Sequence, residues 1–287
     1  MSVAPERIDV SGMGRPIRGP SALGGDFRRF IHLTRTLAVS DFKLRFFGSV
    51  LGYFWQLMRP LLLFGVLYVV FTQALKLGNS VKFYPVVLLT GIVLYTFFAE
   101  ATAGAVSSVV DRENLVRKIQ FPRMVVPTTT VLTASFNLGL NFLVVLVFML
   151  ASGVTPHLTW LELPFCIAAL GTLAMGFGML LSALYVRFRD LKPIWDVMLQ
   201  VIFYGSPVLY AIESIPTNAA HFIMRFNPLA PILQQVRHAV IDPSAPNAAT
   251  AAGGAVWLLI PGAMIVGIAL LGFWVFNREA PRIAEDL

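Results

Sequence analysis

The chain has 287 residues, of which 57% are hydrophobic and 13% charged, with a mean hydropathy of +0.74 and a formal net charge of +7. An average globular domain carries about a quarter charged residues. A water-soluble fold is therefore excluded, and the apolar residues come in long unbroken runs of the kind that cross bilayers. A single cysteine, Cys166, lies inside one such run, which excludes a disulfide framework and a cysteine metal cluster.

Residues 1–26 hold no apolar run, only scattered arginine among glycine and proline breaks, and predict a disordered cytoplasmic tail rather than a cleaved signal. Over residues 27–56, Phe30, Ile31, Leu33 and Leu37 recur at helical spacing with Arg28, Arg29, Arg35, Lys43 and Arg45 between them. That pattern predicts a basic amphipathic helix lying in the membrane interface. A membrane domain over 57–279 follows, with six predicted spans at 57–76, 84–109, 125–151, 164–186, 194–212 and 255–276, and then a cytoplasmic tail at 280–287. The predicted fold class is an all-α polytopic membrane protein. With the N-terminus inside, eighteen of the 22 lysines and arginines fall on the cytoplasmic side, leaving Lys76, Lys82, Arg225 and Arg237 outside. Positive charge retained inside places both termini in the cytoplasm. The same asymmetry, with attraction to anionic lipid, accounts for the net charge, and nucleic-acid binding is rejected.

The loop between spans two and three, "DRENLVRKIQFPRMVVP", concentrates charge and closes on Phe121-Pro122. Its centre predicts about two turns of helix, stopped by the proline, with Leu115 and Ile119 on one face and Arg117 and Lys118 elsewhere. A small apolar ridge with a charged rim suits a partner's socket; a plain topology-fixing loop is the alternative. Within the spans Glu100 and Asp196 are the acidic residues, and intramembrane charge marks function by default. Asp196 is expected to meet Arg187, Arg189 or Lys192. Glu100 is expected to face a pore or a second subunit, unless its long helix lifts it into the cytoplasm.

Aromatic side chains give the substrate signal. Phe64, Tyr68 and Phe71 share a face of span one, and Phe203, Tyr204 and Tyr210 crowd span five near Gln200. Sugar rings stack on aromatic faces, and tyrosine adds a hydroxyl. Lipid-facing packing is the alternative. Ala174, Gly178 and Ser182, spaced by four, predict close packing of span four on a neighbour. Residues 213–254 lie outside and hold two short helical stretches; in the second, Ile232, Leu233, Val236 and Val240 form an apolar face opposed by Gln234, Gln235 and His238. These predict short helices dipping into the outer leaflet. No metal site is expected at His221 or His238. Glu162, Glu213 and Asp242 are too scattered in sequence to argue for an enzyme.

Three stretches together, "SDFKLRFFGSVLGYFWQLMRPLL", "NLVRKIQFPRMVVP" and "RFRDLKPIWDVMLQVIFYGSPVLY", resemble the permeases of type-2 ABC exporters. The subgroup they resemble moves lipid-linked polysaccharides or polyol phosphates: O antigen, capsule, teichoic acid and cell-wall galactan. "FNPLAPILQQVRHAVID" and "NREAPRIAEDL" are similar to that subgroup too, and the resemblance covers residues 30–287. It implies a homodimer of six-span permeases in the inner or plasma membrane, with two copies of a separate ATPase docked below. The sequence contains no Gly-x-x-x-x-Gly-Lys-Ser/Thr phosphate loop. ATP and Mg are accordingly expected in the partner, no cofactor in this chain, and no catalysis by it.

Residue by residue, the resemblance implies a coupling helix over 114–123, with Asn114, Leu115, Arg117, Lys118, Ile119, Phe121 and Arg123 against the ATPase. Asp41, Lys43 and Arg45 of the interface helix make a second contact. It favours spans one and five as the channel lining, with Glu100, and an outer gate that includes Pro207, Asn227, Pro228 and Arg237. The Ala-, Val- and Pro-rich composition looks most like actinobacterial members, whose cargo would be a lipid-linked galactan. A permease for a drug or other small hydrophobic molecule has the same architecture and remains the alternative.

Overall fold

The computed structural model describes residues 27–46, 50–74, 81–113 and 122–280. Residues 114–121, most of the expected coupling helix, and both terminal tails lie outside the described residues. The described chain is helical, without a strand. Its helices are α1 (Phe27–Phe46), α2 (Val50–Val69, continued by a π-turn Val70–Ala74), α3 (Tyr84–Asp111) and α4 (Val125–Ala151). There follow α5 (Leu163–Arg187), α6 (Leu191–Gly205), α7 (Thr217–Phe226), α8 (Leu229–Val236, continued by a π-turn Arg237–Ile241), α9 (Ala248–Ala251) and α10 (Leu259–Glu279). A 3-10 turn, Leu158–Glu162, leads into α5.

Proline sets several helix starts. Pro85 and Pro164 stand in the first turns of α3 and α5, where the missing N–H would have no intrahelical partner anyway. Pro60 is the exception, inside α2, where it removes the hydrogen bond that the Gln56 carbonyl would accept. Of the segment expected to form one interface helix to residue 56, α1 holds residues to Phe46 and α2 those from Val50, and residues 47–49 lie outside the described residues.

Among the described residues, five helices are long and apolar enough to cross a membrane: Phe54–Thr72, Tyr84–Asp111, Val125–Ala151, Leu158–Arg187 and Ala255–Glu279. The expected span at 194–212 is not among them. α6 ends at Gly205 because Pro207 drives Ser206 into extended geometry, at φ −110° and ψ 153°. Its 15 residues reach about 22 Å, against a hydrocarbon thickness of about 30 Å.

α3 is the hub. It packs on α2, α4, α5 and α6, and 78% of its apolar window is buried, against 6% for the window in α2 and 11% for that in α10. Small residues allow the close approaches. Ala174, Gly178 and Ser182 are all buried, and a Cβ on Gly178 would sit 3.0 Å from the Ala105 Cβ of α3. A second seam joins α5 to α10, where Gly272 lies so close to Gly176 that a Cβ there would stand 2.2 Å from the Gly176 carbonyl oxygen. α1 lies across α4, burying Phe30, Thr34 and Ala38, and Phe30 joins a cluster with Val125, Val126 and Phe276.

The outer segment is more buried than its amphipathic pattern predicts. Ile232, Leu233, Val236 and Val240 enter the core as expected, but Gln234 is buried as well and donates to the Pro246 carbonyl at 2.6 Å. Gln235 donates to Glu162 at 2.6 Å and accepts from the Ala248 N–H. The glutamines brace the return segment, so the polar face is turned to protein. α7 keeps an exposed apolar pair, Phe222 and Phe226, one turn apart.

Candidate functional site

An open groove of about 940 Å³ runs between α2, α3 and α6. Each helix contributes one stripe at helical spacing: Gln56, Arg59 and Leu63 from α2, Tyr95, Thr96, Ala99 and Glu100 from α3, and Gln200, Phe203 and Tyr204 from α6. Glu100 lies eleven residues before the end of α3, about 16 Å along the helix at ~1.5 Å per residue. It is therefore well inside the apolar span. Buried Asn137 of α4 donates to Glu100 Oε1 at 2.7 Å, and Gln56 approaches Oε2 at 3.5 Å. These two amides help to orient the carboxylate at the groove wall.

The α6 side of the groove is fixed by hydrogen bonds to α3. Tyr95 donates its hydroxyl to the Leu199 carbonyl, and Trp195 donates to Thr102 Oγ1 at 3.1 Å. Those bonds hold an aromatic ladder: the Tyr95 and Phe203 rings lie 4.9 Å apart, and Phe203 and Tyr204 lie 5.3 Å apart. Tyr204 is 67% exposed, so its ring face is available to a solute.

A second hollow of about 530 Å³ shares Ala103 and Gly104 with the groove and continues toward the α1 end of the molecule. Polar groups line it. Arg112 is ion-paired to Asp41, Ser107 donates to Asp111 at 2.8 Å, and Lys192 approaches Ser107 Oγ at 3.5 Å. The Asp41–Arg112 pair ties α1 to the start of the loop expected to couple. Gly104 is the joint between the two hollows, and a Cβ there would meet the Thr130 methyl at 2.8 Å.

The structure brings together half of the sequence-selected channel residues. Glu100, Gln200, Phe203 and Tyr204 line the groove, whereas Phe64, Tyr68 and Phe71 face the core side of α2. There Phe64 stacks on Tyr68 at 5.7 Å and meets Phe148 of α4 edge-on at 5.6 Å. Tyr210 lines a small outer cavity with Pro207 and Arg237. Sequence reasoning missed Gln56, Arg59, Tyr95 and Asn137. The available signal was polarity: Gln56 and Arg59 are three apart on an otherwise apolar helix, on the face beside the aromatic stripe.

The outer-gate residues divide likewise. Asn227 donates to the Gly205 carbonyl at 3.1 Å and to Ser206 Oγ at 2.8 Å, and accepts from the Leu229 N–H at 3.0 Å, clamping the break at the end of α6. Pro228 caps α8. Buried Arg237 donates to Glu213 at 2.7 Å. Of the coupling residues, Arg123 is buried just before α4, Lys43 is exposed, and the Arg45 side chain lies outside the described residues. Asp196 is exposed and forms no ion pair with Arg187, Arg189 or Lys192 among the described residues. Arg187 and Arg189 lie instead over the Phe188 and Tyr185 rings. No three of His, Cys, Asp and Glu converge among the described residues.

A family model, ABC-2 type transporter, matches residues 32–241. The chain belongs to the ABC-2 type transporter family. Among its relatives, the O-antigen export system permease protein RfbA of Klebsiella pneumoniae is 29% identical over 252 residues, covering 86% of this chain and 92% of the relative. The protein of the same name from Myxococcus xanthus is 29% identical over 74% of this chain and 82% of its own. The polysialic acid transport protein KpsM of Escherichia coli is 20% identical over 71% and 80%. As an ABC-2 type membrane component, the chain has a match that reaches from within α1 to the end of the π-turn after α8, and so contains the whole groove.

Proposed function

We propose that this chain is the membrane-spanning subunit of an ATP-driven exporter of a lipid-linked polysaccharide, and that the groove between α2, α3 and α6 is one half of the translocation path. The observation that carries this reading is Glu100, inside the long apolar helix α3 and set with Gln56, Arg59 and Gln200 on one open face. Open polar groups on such helices are costly against lipid and belong against a water-filled path or a second subunit. The aromatic ladder beside them offers ring faces on which sugars stack and slide. The RfbA and KpsM relatives, named for O-antigen export and polysialic acid transport, support a polysaccharide cargo over a small hydrophobic one.

Completing the path takes a second copy of the chain. α6 with its clamped continuation over 206–212 serves as the sixth membrane segment, and both termini lie in the cytoplasm. Energy comes from two copies of an ATPase that hold ATP and Mg, and residues 114–123 carry its stroke through Leu115 and Ile119. The test is deletion of the gene, with the lipid-linked glycan followed by leaflet. Accumulation of the full-length polymer in the inner leaflet, restored by the intact gene, is expected. Unchanged export in the deletion strain would overturn the reading.

A further inference from the structure

We propose that His221 and Arg225 of α7, with Trp257 at the start of the last span, form a binding site for the phosphate headgroup of a membrane lipid. The site faces the side of the bilayer opposite the loop that follows α3, and it holds whatever the cargo is. Tyr84, at the start of α3, donates to the Leu209 carbonyl at 2.8 Å, so the segment after α6 lies at that end, away from the loop. α7 buries one face there: Ala220 and Met224 pack with Ile212, Ala230, Ala248 and Ala252. Its other face leaves Phe222 and Phe226 exposed. Val256 and Trp257 are exposed as well, in the 3-10 turn Ala255–Leu258 against which α7 packs. That turn opens the apolar span Ala255–Glu279, so the four side chains stand where the span leaves hydrocarbon for headgroups.

The cationic half of the site is held open by its neighbours. The Arg225 guanidinium lies 3.7 Å from the centroid of the Trp257 ring, and its Nε donates to the Ala252 carbonyl at 3.0 Å. Ring and carbonyl fix the plane of the fork, while its two terminal nitrogens make no hydrogen bond among the described residues. Those are the donors that meet two phosphate oxygens side by side. His221, one turn back on α7, reaches the same place. A Cβ on Gly253 would stand 2.9 Å from Arg225 Nη2 and 3.1 Å from His221 Nε2, so the oxygens of one phosphate can bridge both nitrogens. Gly253 and Gly254 hold φ of +85° and +139°, which glycine adopts readily, and the exposed turn crosses the site without a side chain to cover it. A free phosphate would use the two cations alone. A lipid also lays its acyl chains beside Phe222 and Phe226, whose rings lie 5.1 Å apart, and this apolar neighbour commits the site to lipid. Asn227, which clamps the break after α6, is two residues beyond Arg225, so a lipid that steadies α7 steadies the clamp with it.

The test uses the full-length chain in a neutral maltoside detergent, with dioctanoyl phosphatidylglycerol, dioctanoylglycerol or inorganic phosphate added, and reads hydrogen exchange along the chain. Phosphatidylglycerol is expected to slow exchange roughly tenfold over residues 217–227 and 250–258, and the other two additives to have little effect there. Arg225→Gln should abolish that slowing. His221→Gln, and Phe222→Ala combined with Phe226→Ala, should each weaken it, and slow exchange retained across α3 shows that a variant is folded. Equal slowing by dioctanoylglycerol, or slowing undiminished in His221→Gln and Arg225→Gln, overturns the phosphate site. Equal slowing by inorganic phosphate assigns the cations to a soluble anion and overturns the lipid. Slowing that rises with protein concentration in the absence of lipid seats a second copy on this face and overturns the site as well.

Discussion

Gly272→Ala should loosen the seam between α5 and α10. The new Cβ would stand 2.2 Å from the Gly176 carbonyl oxygen and 3.1 Å and 3.3 Å from its C and Cα, where ordinary contact begins near 3.4 Å. Every one of these neighbours is backbone, so no side chain can rotate aside and the helices must separate by about 1 Å. Overpacking of that kind costs about 1–3 kcal/mol. The seam also has a partner contact, since a Cβ on Gly176 would lie 2.8 Å from the Ala269 backbone, so the strain cannot be relieved by sliding one helix along the other. Gly267→Ala is the matched control in the same helix, with nothing within 4 Å of its Cβ. That change should be neutral or stabilising by about 0.5–1 kcal/mol, as alanine loses less backbone freedom in a helix. Thermal unfolding in one detergent should therefore rank Gly267→Ala above wild type and Gly272→Ala several degrees below it. Equal melting of the two variants would show that α10 is held by something other than this seam.

Tyr204→Ala should reduce polymer export without lowering the melting temperature, because the ring is largely exposed, whereas Phe203→Ala should reduce both, since it also removes packing on Tyr95; export and unfolding measured on the same preparations separate the two. Asn227→Ala removes the bonds to the Gly205 carbonyl, the Ser206 hydroxyl and the Leu229 N–H, at about 0.5–1.5 kcal/mol for each hydrogen bond, and should speed hydrogen exchange over residues 205–212 while α3 stays protected. On the proposed coupling role of residues 114–123, Leu115→Asp and Ile119→Asp should abolish recovery of the ATPase in a pull-down, since a charge would replace an apolar side chain whose burial is worth roughly 1.5–3 kcal/mol. Arg117→Ala should cost only about 0–1 kcal/mol as a rim charge; the opposite ranking would mean that the loop only fixes topology.

The number and placement of the long helices were legible in the sequence because an apolar run is a local property. The five spans of the structure overlap five of the six expected. The sixth is not one long helix in the structure, for a local reason as well. Residues 201–212 are apolar apart from Ser206, so hydropathy runs on past Gly205-Ser206-Pro207, and only turn chemistry marks the break. Contacts between distant residues left no such trace. Asn137 and Glu100 are 37 positions apart, and neither the hydrogen bond between them nor the fit of Gly272 on Gly176 follows from any repeat in the chain.

The groove itself was half legible, and the reason lies in which property was followed. Selecting α2 by its aromatic residues picks the face of Phe64 and Tyr68, which the structure packs against α4. Leu63, one residue and ~100° away, belongs with Gln56 and Arg59 on the face that opens into the groove. Aromatic rings are as content in a core as at a path, so their pattern cannot distinguish the two. Amide and charged side chains are not, because in hydrocarbon each must find a polar partner. Gln56, Arg59, Glu100 and Gln200 interrupt three otherwise apolar helices, and the low-cost arrangement is the one that turns all four toward the same space. Polarity within a span is therefore the more decisive guide to a lining face, with aromatic residues assigned only after the polar face is fixed. By that order Phe203 and Tyr204 stay with Gln200 on the groove, and Tyr68 moves to the core.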